Sequence, residues 1–538
     1  MALAAMPPRG HTDAVYFLKG QVRMKTLDMS RSVDPTAPTA LAERSGAQGQ
    51  AFEPASRAQW LLAGCAFLVF LALSIGHSLT LRPFWDEGVF ADMALSFRNF
   101  GHLGSSVLDP QSWGPLPGVH HYTYFQFPLY LIAVGSWFHL VPATLVWMRL
   151  FSLLWGCVFV VSWFVVVRCL SRKEALALLV ASVIALDYTC ILAASLGRMD
   201  IMCAGLGLAG LACYVWLRDS NWTLGVVLAA WLGAASLFCH PMGAVTNAWL
   251  ATMVLLDWRR IRWGALVAAS IPYLIGLACC LYYVHQAPDI FLAQIRPFRG
   301  RVSELGGALR HIRDDFLYRY LRYQSWGHDR YDRFKFVFLV FPVVGTAGLL
   351  ADRNLRSRTV AKRLLLLACV AYLGVAVIDN TNFFVYHIYS VPTFAACAAL
   401  WAYGRWHKGG FGRLLASGLL GASILVSMGA IGYRIYLNGY RNVYDPTVAA
   451  IRKSLPPGGL VMAGSEFGFA LGFGPQLVDD PYFGVASGKV PKVLVANGYR
   501  GPVVYSHVSP SPYYLVFQNA AYSVYVRNAA SAQGQPTN

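Results

Sequence analysis

Runs of about 20 predominantly apolar residues, each long enough to cross a hydrocarbon layer near 30 Å, recur from Trp60 to Tyr433 and then stop. They predict spanning helices over 60–80, 144–167, 174–195, 201–217, 223–239, 243–257, 264–284, 335–351, 361–378, 384–402 and 414–434. A further apolar stretch, Phe127 to Val141, is short for a span and is broken by Pro128 and Pro142, which suits an interfacial helix lying on the membrane. Past the last span the pattern changes. A helical stretch over Thr447 to Ser454 leads into short strand-like runs separated by Gly, Pro and Asn turns: Leu460 to Ala463, Val493 to Val495, Val503 to Tyr505, Tyr513 to Phe517 and Tyr522 to Val526. Residues 1–58 show neither pattern; rich in Ala, Pro and Ser, they read as a disordered cytoplasmic extension and not as a cleavable signal peptide. The expected architecture is an α-helical polytopic membrane protein of about 11 transmembrane helices. It comprises the extension 1–58, a membrane domain 59–435 with large loops 81–143 and 285–334, and a small C-terminal α/β domain over 436–538.

The loops fix an expected orientation. Arg168, Arg172 and Lys173, then Arg259, Arg260 and Arg262, then Arg353, Arg356, Arg358, Lys362 and Arg363, and finally Arg405, Lys408 and Arg413 all fall on one side, while the opposite short loops hold almost no Lys or Arg. The positive-inside rule then makes the N-terminus cytoplasmic and the C-terminal domain external, as in a plasma or bacterial inner membrane. Loop 285–334 dissents, with Arg296, Arg299, Arg301, Arg310, Arg313, Arg319, Arg322, Arg330 and Arg333, but long loops translocate despite their charge.

Composition agrees with a life in lipid: 56% hydrophobic residues, 13% charged and a mean hydropathy of +0.47. The net charge of +18 is accounted for by the topogenic loops, so nucleic acid is not an expected partner. All 11 cysteines lie in or beside apolar runs, which implies no disulfide framework and no CxxC metal site. No Walker A loop, HExxH, GxSxG or dinucleotide fingerprint stands in a convincing context, which argues against ATPase, protease, hydrolase and dehydrogenase chemistry.

The candidate chemistry crowds the expected external face. Phe84-Trp85-Asp86-Glu87-Gly88 follows the first span; two acids there either complement a helix N-terminus or serve as acid–base groups. Arg198 and Asp200 sit between the third and fourth spans, as a structural ion pair or as a site in which a planar guanidinium grips phosphate. His240 and His387 close and open spans on the same face, where a histidine is either a structural hydrogen-bonding group or a ligand. With Asp379 they supply residue types that bind a divalent metal, but no local ligand motif, so the sequence requires no cofactor and a metal stays open. In loop 285–334, arginines alternate with Tyr318, Tyr320, Tyr323, Trp326 and Tyr331. That is an interfacial belt meeting membrane lipids, or a lid over a lipid phosphate that uses His311-Ile312-Arg313-Asp314-Asp315.

In order and topology, Asp86-Glu87, Pro128-Leu129-Tyr130, Met148-Arg149-Leu150 and Gly197-Arg198-Met199-Asp200 resemble the GT-C glycosyltransferases, in particular the protein O-mannosyltransferases and the bacterial lipid A aminoarabinose transferases. The resemblance covers roughly 60–435 and implies a GT-C-like fold and transfer of a sugar from a polyprenyl-phosphate donor to an envelope acceptor: a lipid, a polysaccharide or a protein. It makes Asp86 the catalytic base and Glu87 its partner or an acceptor-positioning group. Arg198, Arg310, Arg313, His240 and His387 become donor-phosphate groups, with Asp200 in support. The chain lacks the trefoil insertions of protein mannosyltransferases and a WWDYG motif, which disfavours protein O-mannosylation and N-glycosylation. Two other classes stay open. A transporter or flippase needs charge or broken helices near the bilayer midplane, and a membrane sensor or scaffold needs no particular geometry at Asp86.

Overall fold

Ser56 starts the first membrane helix, α1 (Arg57–Thr80), with a capping box: its hydroxyl accepts the Gln59 N–H at 3.3 Å while the Gln59 side chain accepts the Ser56 N–H at 2.8 Å. The computed structural model describes residues 52–111, 116–297, 308–321, 337–379, 383–484, 487–497 and 513–528. Residues 52–55, placed by sequence in the extension, lie against the turn at 171–174: Glu53 pairs with Lys173, and the Ala55 N–H donates to Glu174 at 3.0 Å.

After α1 the chain forms α2 (Trp85–Phe100) and α3 (Pro128–Leu140), then α4 (Leu145–Ser171), α5 (Glu174–Ala185), α6 (Tyr188–Ala194), α7 (Met199–Leu217), α8 (Trp222–Cys239), α9 (Gly243–Leu256) and α10 (Trp263–Gln286). Short helices α11 (Pro288–Ile295) and α12 (Ala308–Asp315) follow, then α13 (Val337–Ala351), α14 (Thr359–Ile378), α15 (His387–Lys408) and α16 (Gly410–Leu437). Each expected span is helical over its described residues apart from the break at 186–187 and single residues at span ends. Among the described residues, eight helices are long and apolar enough to cross a membrane, and α5 with α6, bent by 64°, makes a ninth. The bend has a local cause: the Asp187 carboxylate accepts the Thr189 N–H at 2.8 Å and so caps a new helix inside the apolar run. The expected spans at α9 and α13 are shorter apolar helices, as is α3 with 13 residues.

Helix α15 lies at the centre, with 89% of its apolar window buried, whereas α1 (11%) and α10 (17%) turn most of theirs outward, exposing Leu61, Leu62, Leu274 and Leu281 as lipid-facing helices must. At one end of the bundle the basic loops are gathered by acids: Asp219 by Arg172 and Arg260, Asp257 by Arg218 and Arg363, Asp352 by Lys408 and Arg405.

The other end carries the C-terminal domain. Helix α17 (Asp445–Ser454) precedes strands β1 (Val461–Met462), β2 (Leu477–Val478), β3 (Val493–Asn497), β4 (Tyr513–Gln518) and β5 (Tyr522–Arg527), ordered β2-β1-β3-β5-β4. Strand β1 runs parallel to β2 and β3, and β5 antiparallel to β3 and β4. The expected strand over 503–505 lies outside the described residues. The loop after α2 joins this domain, with Leu108 bridging to Asp479 beside β2 and Val107 entering the core with Tyr444, Phe467 and Val493. The described residues from Phe52 onward thus form one compact unit.

Candidate functional site

Four residues separate α1 from α2, and Asp86 and Glu87 occupy the first turn of α2, where carboxylates complement the N-terminal dipole. Neighbours on a helix point about 100° apart, and the two acids have different fates. Glu87 is fully buried. It accepts the Phe84 N–H at 2.8 Å, the Gly197 N–H at 2.7 Å, and two guanidinium contacts from Arg149 at 2.8 and 2.7 Å. Those four bonds fill the acceptor sites of a carboxylate. Arg149, equally buried, spends its remaining N–H groups on the carbonyls of Ser78 (2.6 Å), Leu81 (2.7 Å) and Arg82 (3.1 Å) at the end of α1. Glu87, expected as the partner of Asp86 or an acceptor-positioning group, thus ties the turn that carries Asp86 to Arg149 and Gly197. Arg149, quoted above only within Met148-Arg149-Leu150, was given no role there, although an arginine inside the apolar run from Leu145 to Leu154 is the signal for such a buried partner.

Asp86 keeps a fifth of its side chain exposed and pairs with Arg198, whose Nε donates to Asp200 at 2.9 Å. Asp200 is buried in the first turn of α7, and Arg198 is the residue that caps that helix. The Arg198 guanidinium is also boxed by the rings of Phe383 (5.3 Å), Phe84 and Phe90 (both 5.9 Å). Of these three groups only Asp86 meets solvent to any extent.

His240 borders the same region. Its Nδ1 accepts the Met242 N–H at 3.1 Å, which leaves Nε2 as the protonated nitrogen facing the Tyr386 hydroxyl at 3.5 Å. His387 is fully buried, with Tyr320 edge-on at 4.9 Å, so its ring packs the interior beneath loop 308–321. That loop is fastened by an arginine the sequence did not single out. Arg319 donates to Asp315 at 2.6 Å, to Asp379 at 2.8 Å and to the Phe383 carbonyl, with the Tyr386 ring 6.0 Å away. The i,i+4 spacing of Asp315 and Arg319 is the readable sign of the pair. Arg313 is 70% exposed and contacts only its neighbour Asp314 among the ion pairs described, and the side chain of Arg310 lies outside the described residues. Phe383 and Tyr386 link the two buried arginines, so Asp86, Arg198, His240 and Arg319 belong to one polar belt at the end of the bundle that carries the C-terminal domain. Among the described residues no group of three His, Cys, Asp or Glu side chains is placed to hold a metal, and Asp379 is engaged by Arg319 and the Phe383 N–H (2.9 Å).

No protein-family model and no curated protein sequence matches the chain. Solved structures do. ArnT from Cupriavidus metallidurans, bound to undecaprenyl phosphate, superposes with a TM-score of 0.58 at 16% identity, over 89% of this chain and 100% of that one. The Archaeoglobus fulgidus oligosaccharyltransferase tethered to an acceptor peptide gives 0.52 at 12% identity, over 88% of this chain and 75% of that one. AglB of the same organism, with an inhibitory peptide and a dolichol phosphate, gives 0.50 at 12% identity, over 89% and 76%. The chain shares its fold with these structures.

Proposed function

We propose that the chain is a membrane glycosyltransferase that takes a sugar from a polyprenyl-phosphate donor and passes it to an envelope acceptor at the face carrying the C-terminal domain. That face is external if the basic loops are cytoplasmic, as in an inner membrane. The observation that carries the reading is the pairing of Asp86 with Arg198: a partly exposed carboxylate on a turn made rigid by Glu87 and Arg149, touching a buried cation. The solved relatives bound to undecaprenyl and dolichol phosphates support the donor class.

In this mechanism the acceptor hydroxyl attacks the anomeric carbon, Asp86 takes its proton, and the bond from that carbon to the phosphate oxygen breaks. Charge then accumulates on the departing phosphate. Protonation of Asp86 neutralises the carboxylate that holds Arg198, so the guanidinium is released to the phosphate as the phosphate needs it. A preorganised donor of this kind contributes roughly 3–4 kcal/mol to such a transition state. Arg310 and Arg313 sit on the segment proposed to cover the phosphate, His240 is a donor at the rim, and Asp200 keeps Arg198 in register. His387 supports the site through Tyr320 and not by contact with the donor.

Binding of undecaprenyl phosphate to the purified protein tests the donor class. Wild type and Asp86→Asn bind it comparably, while Arg198→Gln weakens binding by about tenfold or more, as loss of a charge-assisted contact implies. Absence of binding by wild type contradicts the proposal and favours a transporter of another substrate or a sensor.

A further inference from the structure

The C-terminal domain touches the first turn of α2 at atomic contact. Gly88 lies so close to the Ser465–Glu466 peptide that a Cβ there would sit 2.2 Å from the Ser465 carbonyl carbon and 2.4 Å from the Glu466 nitrogen. The buried Asp479 carboxylate accepts three donors on one oxygen: the Trp85 indole N–H, the Ser465 N–H (2.7 Å) and the Ser465 hydroxyl (2.6 Å). Its backbone pairs with the loop that follows α2, donating to the Val107 carbonyl at 2.7 Å and accepting the Asp109 N–H at 3.2 Å. Lys489 adds an ion pair to Asp109 at 2.7 Å. Trp85 is the first residue of α2, and Asp86 is the second.

We infer that Asp479 is a positioning residue for Asp86: the docked C-terminal domain holds Trp85, and through it the first turn of α2, so the domain completes the site instead of standing apart from it. This rests on the reading of Asp86 as the base. A buried carboxylate needs several donors to be stable, and the indole N–H is one that a mobile helix start could not supply. Glu87 and Arg149 fix the turn from the membrane side and Asp479 from the domain side, so Asp86 is held between two anchors. Shifts of about 1 Å at a reacting group cost up to roughly a hundredfold in rate, which is the scale on which such an anchor acts.

The test uses full-length protein in nanodiscs, comparing wild type with Trp85→Phe, which removes the N–H and keeps the bulk, with Asp479→Ala, and with the double variant. Amide exchange over 85–90 should quicken by about tenfold in each, with exchange elsewhere in the bundle and undecaprenyl-phosphate binding unchanged. The kcat for sugar transfer should fall roughly 10- to 100-fold without a change in the donor KM. Because both single changes break one link, the double variant should be no worse than Asp479→Ala alone. Wild-type exchange over 85–90 in Trp85→Phe overturns the inference, and so does an unchanged kcat in an active enzyme. If wild type transfers no sugar at all, the proposed function fails, and the exchange measurement still decides whether Asp479 holds the turn.

Discussion

Asp86 and Glu87 are adjacent acids of nearly equal chemistry, and only the three-dimensional neighbourhood assigns them different work. The sequence marks the pair, but which member turns inward depends on Arg149, Gly197 and the Phe84 N–H, residues brought together from three parts of the chain. Gly197 has no side chain to spare: a Cβ there would approach Met148 to 2.9 Å and the Glu87 carboxylate to 3.2 Å. Removing one partner of a buried ion pair leaves the other charge uncompensated and costs about 3–5 kcal/mol. Arg149→Met should therefore lower the unfolding midpoint of the detergent-solubilised protein markedly, while Asp86→Asn, at a partly exposed position, should barely move it. Equal midpoints for wild type and Arg149→Met would mean that the pair is not the anchor described. Arg198 and Asp200 stood out as candidates because the short loops on their side of the bundle hold almost no other Lys or Arg. Arg319 was hidden among the other basic residues of its loop, since burial is not a property that a loop's composition records.

At the scale of elements, the length of the apolar runs was sufficient to place the long membrane helices, though not to show that α9 and α13 are shorter, because lipid demands long apolar stretches and few soluble folds imitate them. It was insufficient for the break between α5 and α6, which falls inside one continuous apolar run and is signalled only by Asp187. The segment 308–321 is docked by Arg319 between Asp315 and Asp379. Burial pushes the Asp315 carboxyl above its ordinary value, against the pull of Arg319 and with a further upward push from Asp379. A carboxyl raised in the docked state binds its proton more tightly there than when released, so between the ordinary and raised values docking strengthens as pH falls. Acidification from pH 7 to 5 should then leave amide protection over 311–320 unchanged or increased after correction for intrinsic exchange. Loss of protection at pH 5 would show that the ion pair with Arg319 outweighs the cost of burial.

For the whole molecule, the alternation of helix direction gathers the acid-buffered basic loops at one end and the site, with the C-terminal domain, at the other. Strands β1, β3, β4 and β5 of that domain were legible as apolar runs bounded by Gly, Pro and Asn turns, whereas the two-residue β2 was not. The domain's seat on α2 was not legible either, because Trp85 and Asp479 lie 394 positions apart and nothing in either stretch marks the other as its partner. If the basic end is cytoplasmic, a membrane-impermeant maleimide applied to intact cells should label Tyr514→Cys and spare Arg259→Cys; the opposite pattern would invert the topology and place the site inside.

The most direct measurement is transfer of radiolabelled sugar from a panel of polyprenyl-phosphate sugars to envelope fractions by purified wild-type protein and by Asp86→Asn. Transfer by wild type that disappears in the variant, with undecaprenyl-phosphate binding retained, is the predicted result and identifies the sugar. Equal transfer by both proteins would contradict Asp86 as the base, and no transfer from any donor would contradict the glycosyltransferase itself.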